Sequence, residues 1–357
     1  MIEWKVIKLN TKVIRMSLDC LDMQGILEAG NILKNDGLVA FPTETVYGLG
    51  GNALDEKAAE KIYMAKGRPS DNPLIVHIAD FSAIEKIVKS VPERAKKLAD
   101  AFWPGPLTMI FEKSELVPYG TTGGLETVAV RMPNHPIALE LIRAGGGYVA
   151  APSANKSGRP SPTLASHVEE DLSGRIDMIL DGGPVGIGLE STIVDFTDEI
   201  PTILRPGYIN QEMLEEVIGP VQMDKALMHV DASVAPKAPG MKYRHYAPEA
   251  ELVVVVGHPA DVQTRIRQLA KEKVQAGYRV GIIATDESAK EYPVGIVKSI
   301  GTREQEETIA QHLFAVLREF DDNKVYFIYS EAFYTPQIGQ AIMNRLLKAA
   351  GQHKIEV

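Results

Sequence analysis

Four side chains in two short segments carry the clearest chemistry in this sequence. Lys66 and Arg68 open the run KGRPSDNPLIVHI, and Ser153 and Asn155 lie within APSANKSGRPSPT. Together they offer two cations, a hydroxyl and an amide, a set suited to an anionic ligand such as a phosphate. Arginine forks onto two phosphate oxygens, whereas lysine acts as a point charge. A plainer reading exists for the cations. They fall at the end of a helical pattern, where positive charge complements the helix dipole and Gly67 serves as the cap. The continuation shifts the balance, because the polar loop from Arg68 to Pro73 runs straight into an apolar strand and is anchored at both ends.

Other polar groups share this placement at the end of an apolar run. Thr43-Glu44-Thr45 follows Pro42, and Glu190-Ser191-Thr192 and Leu204-Arg205-Pro206-Gly207 flank further strands. Ligands of α/β sheets bind at such strand ends. Arg131 stands inside VAVRM and is costly to bury without a carboxylate partner, from this protein or from a substrate. Ser157 and Ser161 join Ser153 and Asn155 in one Gly/Pro-rich loop. They are either turn residues bonding their own backbone or donors to phosphate and ribose. His77, alone among aliphatics, reads as a satisfied core residue. No Ser-His-Asp order, metal-ligand spacing or paired-carboxylate motif stands out, so the implied chemistry is positioning and charge neutralisation.

These residues need a scaffold, and the hydrophobic pattern supplies one. Helices are expected over about 19–35, with Ser17 as cap and Gly37 as a left-handed stop, and over about 55–67, 92–103 and 135–144. Strands are expected at about 38–41, 74–78, 107–111, 127–132, 148–151, 191–196 and 202–204, with the Gly48–Gly51 segment as a turn. Some strands follow one another without a helix, which predicts a mixed α/β sheet. Residues 1–219 form this first domain. Residues 220–248 break the rhythm with Pro220, Pro236, Pro239, Gly240 and Pro248. They read as a linker or functional loop, and Met241-Lys242-Tyr243-Arg244-His245-Tyr246 is too rich in aromatics and cations for a passive tether. Residues 249–357 alternate strands with helices over about 259–275, 302–320 and 338–350, as in a small, mostly parallel, doubly wound domain. Its first strand ends without GxGxxG or a Walker loop.

The 357 residues are 45% apolar and 24% charged, ordinary for a globular protein of two domains. Net charge is −9, and the excess lies in the first 222 residues, with 21 basic and 30 acidic side chains. Strong sequence-independent nucleic-acid binding is not suggested, though a local basic cleft is compatible with this balance. Cys20 is the only cysteine, which fits a reducing compartment. There is no signal-peptide pattern and no apolar run long enough to cross a bilayer, so a soluble cytoplasmic protein without membrane partners is expected.

The segments PTETVYGLG, KGRPSDNPLIVHI, WPGPLT, VAVRMP, APSANKSGRPSPT, ESTIVD, LRPG and PGMKYRHYAP resemble, in order, those of the YrdC-type threonylcarbamoyl-AMP synthases. The last segment and the extra domain are similar to the long form of that family, and the likeness covers essentially the whole chain. The resemblance implies a twisted mixed sheet with surrounding helices around a large concave cavity, a small Rossmann-like C-terminal domain, and a linker across the cavity mouth. It also implies a reaction: L-threonine, bicarbonate or CO2, and ATP give L-threonylcarbamoyladenylate and pyrophosphate. The product feeds modification of the tRNA adenosine beside the anticodon.

The family's KxR…SxN signature falls on Lys66, Arg68, Ser153 and Asn155, which are thereby the expected catalytic group. ATP is expected at Arg68, Asn72, Thr127, Ser153, Ser161, Arg205 and, from the linker, Arg244. Threonine is expected at Thr45, His77, Arg131, Ala151 and Ser191, so His77 is drawn out of its core reading by the resemblance alone. Mg²⁺ is expected with ATP, its ligands unassigned. Docking to downstream tRNA threonylcarbamoyl-transfer proteins is a further expectation. The competing reading is an RNA-binding or ribosome-maturation module that uses the same basic cavity.

Overall fold

The structure is a computed structural model that describes residues 9–224 and 245–357. Eleven strands form the first sheet: β1 Lys12–Arg15, β2 Val39–Phe41, β3 Gly48–Asn52, β4 Ile75–His77, β5 Leu107–Glu112, β6 Thr127–Arg131, β7 Val149–Ala150, β8 Met178–Asp181, β9 Thr192–Asp195, β10 Thr202–Arg205 and β11 Gln222–Met223. Their order is β1-β8-β2-β3-β7-β4-β6-β5-β9-β10-β11, and parallel and antiparallel pairs alternate irregularly, as expected for a mixed sheet.

The helix Glu56–Lys66 shows how local sequence aims a functional residue. The Asp55 side chain accepts from the Lys57 amide and caps its start, and Gly67 ends it in the left-handed region at φ 62°. Lys66 is therefore the last helical residue and Arg68 the first beyond the turn. Next to it, β4 pairs in parallel with β6, setting His77 opposite Arg131, and antiparallel with β7, setting His77 opposite Val149.

Two local expectations are corrected. The first helix is Met23–Lys34, capped by the Asp22 side chain and not by Ser17, and the residue of positive φ after it is Asp36, not Gly37. The glycines at 48–51 form a strand, not a turn. A side chain at Gly50 would meet Val149 Cγ1 at 2.9 Å and Phe41 Cε1 at 3.0 Å, so glycine lets β3 lie close against its neighbours. β1 and β8, parallel at the sheet edge, have no counterpart in the sequence reading.

The second sheet has the order β14-β13-β15-β12-β16, formed by β12 Glu251–Val256, β13 Val280–Ala284, β14 Ile296–Ser299, β15 Phe327–Glu331 and β16 Lys354–Glu356. All its pairings are parallel. Its helices are Pro259–Gln275, Glu306–Asp322 and Gly339–Ala349. The second of these starts later than the pattern predicts. The Glu306 carboxylate turns back to accept from the amides of Gln337 and Ile338, at 3.0 and 2.8 Å, and residues 302–305 form a turn before it.

The two domains share a core. Val46 and Leu189 of the first pack in one cluster with Tyr246, Ile309, Ala310 and Phe314. At Gly188, with φ 82°, an added side chain would lie 2.5 Å from the Gln311 Cα, so the Glu306–Asp322 helix rests directly on this backbone. No helix among the described residues is long and apolar enough to cross a membrane.

Candidate active site

A cleft opens over the ends of β4 and β6 and gathers residues from distant parts of the chain. Among the described residues Lys66, Arg68, Arg131, Arg159 and Arg205 line it with the carboxylate of Glu190, while Glu44 and Asp171, outside the lining, pair with Arg131 and Arg159. On one side the Lys66 ammonium donates to the Asn155 carbonyl at 2.6 Å, to the Ser153 carbonyl, and more weakly to Asn155 Oδ1 at 3.4 Å. Burial, then Arg68, pushes its pKa well below the ordinary lysine value. Its charge is thus committed to backbone carbonyls, which makes it a tether between the two signature segments. Ser153 Oγ donates to Asn155 Oδ1 at 2.6 Å, and Asn155 Nδ2 donates to the carbonyls of Lys156 and Arg159. Asn155 therefore shapes its own loop, as the plainer sequence reading had it. Arg68 lies 5.9 Å from the Tyr63 ring and donates to the Pro73 carbonyl at 3.3 Å.

On the other side Arg131 is buried and has its carboxylate. Its Nη2 lies 2.7 Å from Glu44 Oε2, Nη1 donates to Thr45 Oγ1 at 2.9 Å, and Nε donates to the Gly105 carbonyl at 3.3 Å. The ion pair is close but poorly directed. Among the described residues neither Glu44 oxygen nor Arg131 Nη2 completes a well-angled hydrogen bond. Burial, reinforced by Arg131, pushes the His77 ring down to about 3, so it is neutral. Thr108 and Ser191 share a hydroxyl hydrogen bond of 2.7 Å, and Arg205 donates to the Ser191 carbonyl and hydroxyl at 3.1 and 3.2 Å. Burial lowers the Arg205 pKa to about 10. Ser161 Oγ donates to Glu190 Oε1 at 2.5 Å, and Ala151 completes the wall.

Most of the residues singled out in sequence meet here: Thr45, Lys66, Arg68, His77, Arg131, Ala151, Ser153, Asn155, Ser161, Ser191 and Arg205 all line the cleft. Asn72 and Thr127 do not. Asn72 is fully buried behind it, its carbonyl accepting from the Tyr63 hydroxyl, with no partner for its side-chain amide among the described residues. Thr127 opens β6, about 13 Å from Arg131 at the other end of that strand. Arg244 and Tyr243 lie outside the described residues. His245 and Tyr246 do reach the cleft, where Tyr246 stacks on Phe314 at 5.1 Å. Sequence reading gave no specific role to Glu44, Arg159 or Glu190. Each stands in a motif beside a named candidate, and their roles depend on partners elsewhere in the chain. No group of three or more acidic, histidine or cysteine side chains suited to a metal ion occurs among the described residues.

Comparison with known proteins places the chain in a family. Residues 31–207 match the family model described as "Telomere recombination" (Sua5_yciO_yrdC), and residues 209–351 match that described as "Threonylcarbamoyl-AMP synthase, C-terminal domain". A threonylcarbamoyl-AMP synthase of Bacillus subtilis is 54% identical over 327 residues, 91% of this chain and 93% of the relative. One of Pyrococcus abyssi is 49% identical over 329 residues, 92% of this chain and 95% of the relative. A crystal structure of P. abyssi Sua5 complexed with L-threonine superposes with a TM-score of 0.92 at 47% identity, covering 97% of this chain and 100% of that one. The chain belongs to the threonylcarbamoyl-AMP synthase family.

Proposed function

We propose that this cleft joins L-threonine, a carbon from bicarbonate or CO2, and ATP into L-threonylcarbamoyladenylate, releasing pyrophosphate. The product would supply the threonylcarbamoyl modification of tRNA beside the anticodon. The observation that carries the reading is the convergence of Arg68, Arg131 and Arg205 on one cleft beside the Ser153 and Ser161 hydroxyls, in a chain that is acidic overall. Such a site favours the meeting of two anionic reactants. The likeness to a Sua5 structure complexed with L-threonine supports the amino-acid half.

In this reading the threonine carboxylate takes the place of Glu44 against Arg131, with Thr45, His77, Ala151 and Ser191 around the amino acid. ATP lies toward Arg68, Ser153, Ser161 and Arg205. Lys66 and Asn155 hold the loop that carries Ser153. The threonine amine adds to CO2 with loss of a proton, or condenses with bicarbonate with loss of water, to give a carbamate. A carbamate oxygen then attacks the α-phosphorus in line, and pyrophosphate leaves. The arginines screen repulsion between carbamate and triphosphate, and the buried walls limit hydrolysis. The donor set does not fit a resident metal, because Glu44 and Glu190 are each engaged by an arginine. Mg²⁺ would arrive as part of the ATP substrate. The test is pyrophosphate release from ATP. It should require both threonine and bicarbonate, and turnover of ATP indifferent to threonine would overturn the assignment.

A further inference from the structure

Two arginines of the second domain grip segments that form or flank the cleft wall. Arg345, on the Gly339–Ala349 helix, is fully buried. Its Nε donates to Glu190 Oε2 at 2.8 Å, Nη2 to the Glu190 carbonyl at 3.2 Å, and Nη1 to the Pro206 carbonyl at 2.8 Å. Glu190 is the residue whose other oxygen accepts from Ser161, and Pro206 directly follows Arg205. One guanidinium thus ties together the segments before Ser191 and after Arg205, and through Glu190 it fixes the Ser161 hydroxyl. Arg318, on the Glu306–Asp322 helix, grips the neighbouring loop. Its Nη2 donates to Asp171 Oδ2 at 2.7 Å and to the Pro160 carbonyl at 2.6 Å. Asp171 also accepts from the Lys156 amide at 3.2 Å.

A buried ion pair is a poor device for stability, because desolvation offsets most of the attraction; its strength lies in fixing geometry. Burial alone would push the Glu190 carboxyl up, but Arg345 and then Arg205 outweigh it and hold the group ionised. An ionised Glu190 is a fixed acceptor for Ser161.

We propose that Arg345 is a positioning residue for the reaction: by clamping Glu190 and Pro206 it sets Ser161 and Arg205 for the ATP phosphates, so that the second domain forms part of the nucleotide site. This rests on the placement of ATP proposed above. The guanidinium reaches across the domain seam, and among the described residues of the catalytic domain Arg205, which that reading assigns to the nucleotide, is the other cation acting on Glu190.

The experiment uses the full chain with Arg345→Gln, Arg345→Lys and Arg205→Ala, comparing KM for ATP, threonine affinity by calorimetry, and melting temperature. Arg345→Gln should raise the ATP KM about tenfold or more, because a small misplacement of binding groups is costly, and leave threonine affinity within about twofold. Arg345→Lys keeps the charge but loses the three-way clamp, so it should fall between. Adding Glu190→Gln to Arg345→Gln should recover melting temperature by removing the unpaired charge, without recovering ATP affinity. If ATP and threonine affinities drop together in step with melting temperature, the role is merely structural and the inference is overturned. If Arg345→Gln does not fold, Arg345→Lys decides: an unchanged ATP KM overturns it. If Arg205→Ala weakens ATP while both Arg345 variants bind it normally, only this inference falls. If Arg205→Ala also leaves ATP binding unchanged, the nucleotide placement fails and the inference falls with it.

Discussion

Lys66 Nζ lies 2.6 Å from the carbonyl oxygen of Asn155, a residue 89 positions further along the chain. With the Ser153 carbonyl also on that ammonium, the two segments of the family signature are joined by a lysine and two backbone oxygens, independently of any ligand. The Ser157 amide returns the contact, donating to the Lys66 carbonyl at 2.9 Å.

Lys66→Met should therefore act first on stability. It strands two inward-facing carbonyls, at about 1–3 kcal/mol for each acceptor left unpaired. Urea unfolding should show a lower midpoint with an unchanged slope. A midpoint equal to that of the unaltered protein would show that the tether carries no load.

Arg68→Ala should do the reverse. Arg68 lies 5.9 Å from the Tyr63 ring, donates to the Pro73 carbonyl at 3.3 Å and lines the cleft. Pyrophosphate release should fall about a hundredfold, the scale of losing one charge-stabilising donor, with little change in melting temperature. Full turnover in this variant would remove Arg68 from the reaction.

Glu44→Gln addresses the amino-acid end. The Glu44–Arg131 pair is charge-matched but badly angled, so a substrate carboxylate has something to gain by replacing it. Removing the Glu44 charge should lower the melting temperature of the free protein and tighten threonine several-fold, because Arg131 is left uncompensated until threonine arrives. Calorimetry with threonine alone reads this directly. Threonine binding weakened by Glu44→Gln would place the amino acid elsewhere.

His77 contributes to the pH dependence of stability with a defined sign. Its folded ring stays neutral down to about pH 3, whereas in the unfolded chain it takes a proton near 6.5. Between those values the unfolded state holds more protons, so stability falls as pH falls, by at most about 1.4 kcal/mol per pH unit for one group. His245, also pushed down to about 3 by burial, adds to the same slope. His77→Gln should flatten the difference in unfolding free energy across that window. Parallel curves for the two proteins would mean that the folded site accepts the proton.

Much of this site was legible as residue types at strand ends. The Asp55–Gly67 helix limits, the apolar runs of β4 and β6 and the internal Arg131 are local signals, and they survive folding unchanged. Long-range pairing was not legible. Nothing near Lys66 in sequence says that its charge will be consumed by carbonyls at 153 and 155, and nothing near Glu190 announces an arginine 155 residues away. Asn72 and Thr127 were carried in by resemblance and stand outside the cleft lining, Thr127 because a strand places its two ends a strand-length apart. The glycines of β3 misled in the opposite way: a composition that signals turns also permits close strand contact, and only the neighbours Phe41 and Val149 decide between them.

The contact at Gly188 acts as a mechanical stop. Where side chains interdigitate, two bodies can settle closer or ease apart by changing rotamers. Here the Gln311 backbone bears on a residue with no side chain, at a φ of 82° that few other residues adopt. The gap between the domains is consequently gauged by two main chains, and no rotamer change can shim it. Substitutions elsewhere along the seam can loosen or tighten the joint, but its spacing is machined into the backbone at this one position.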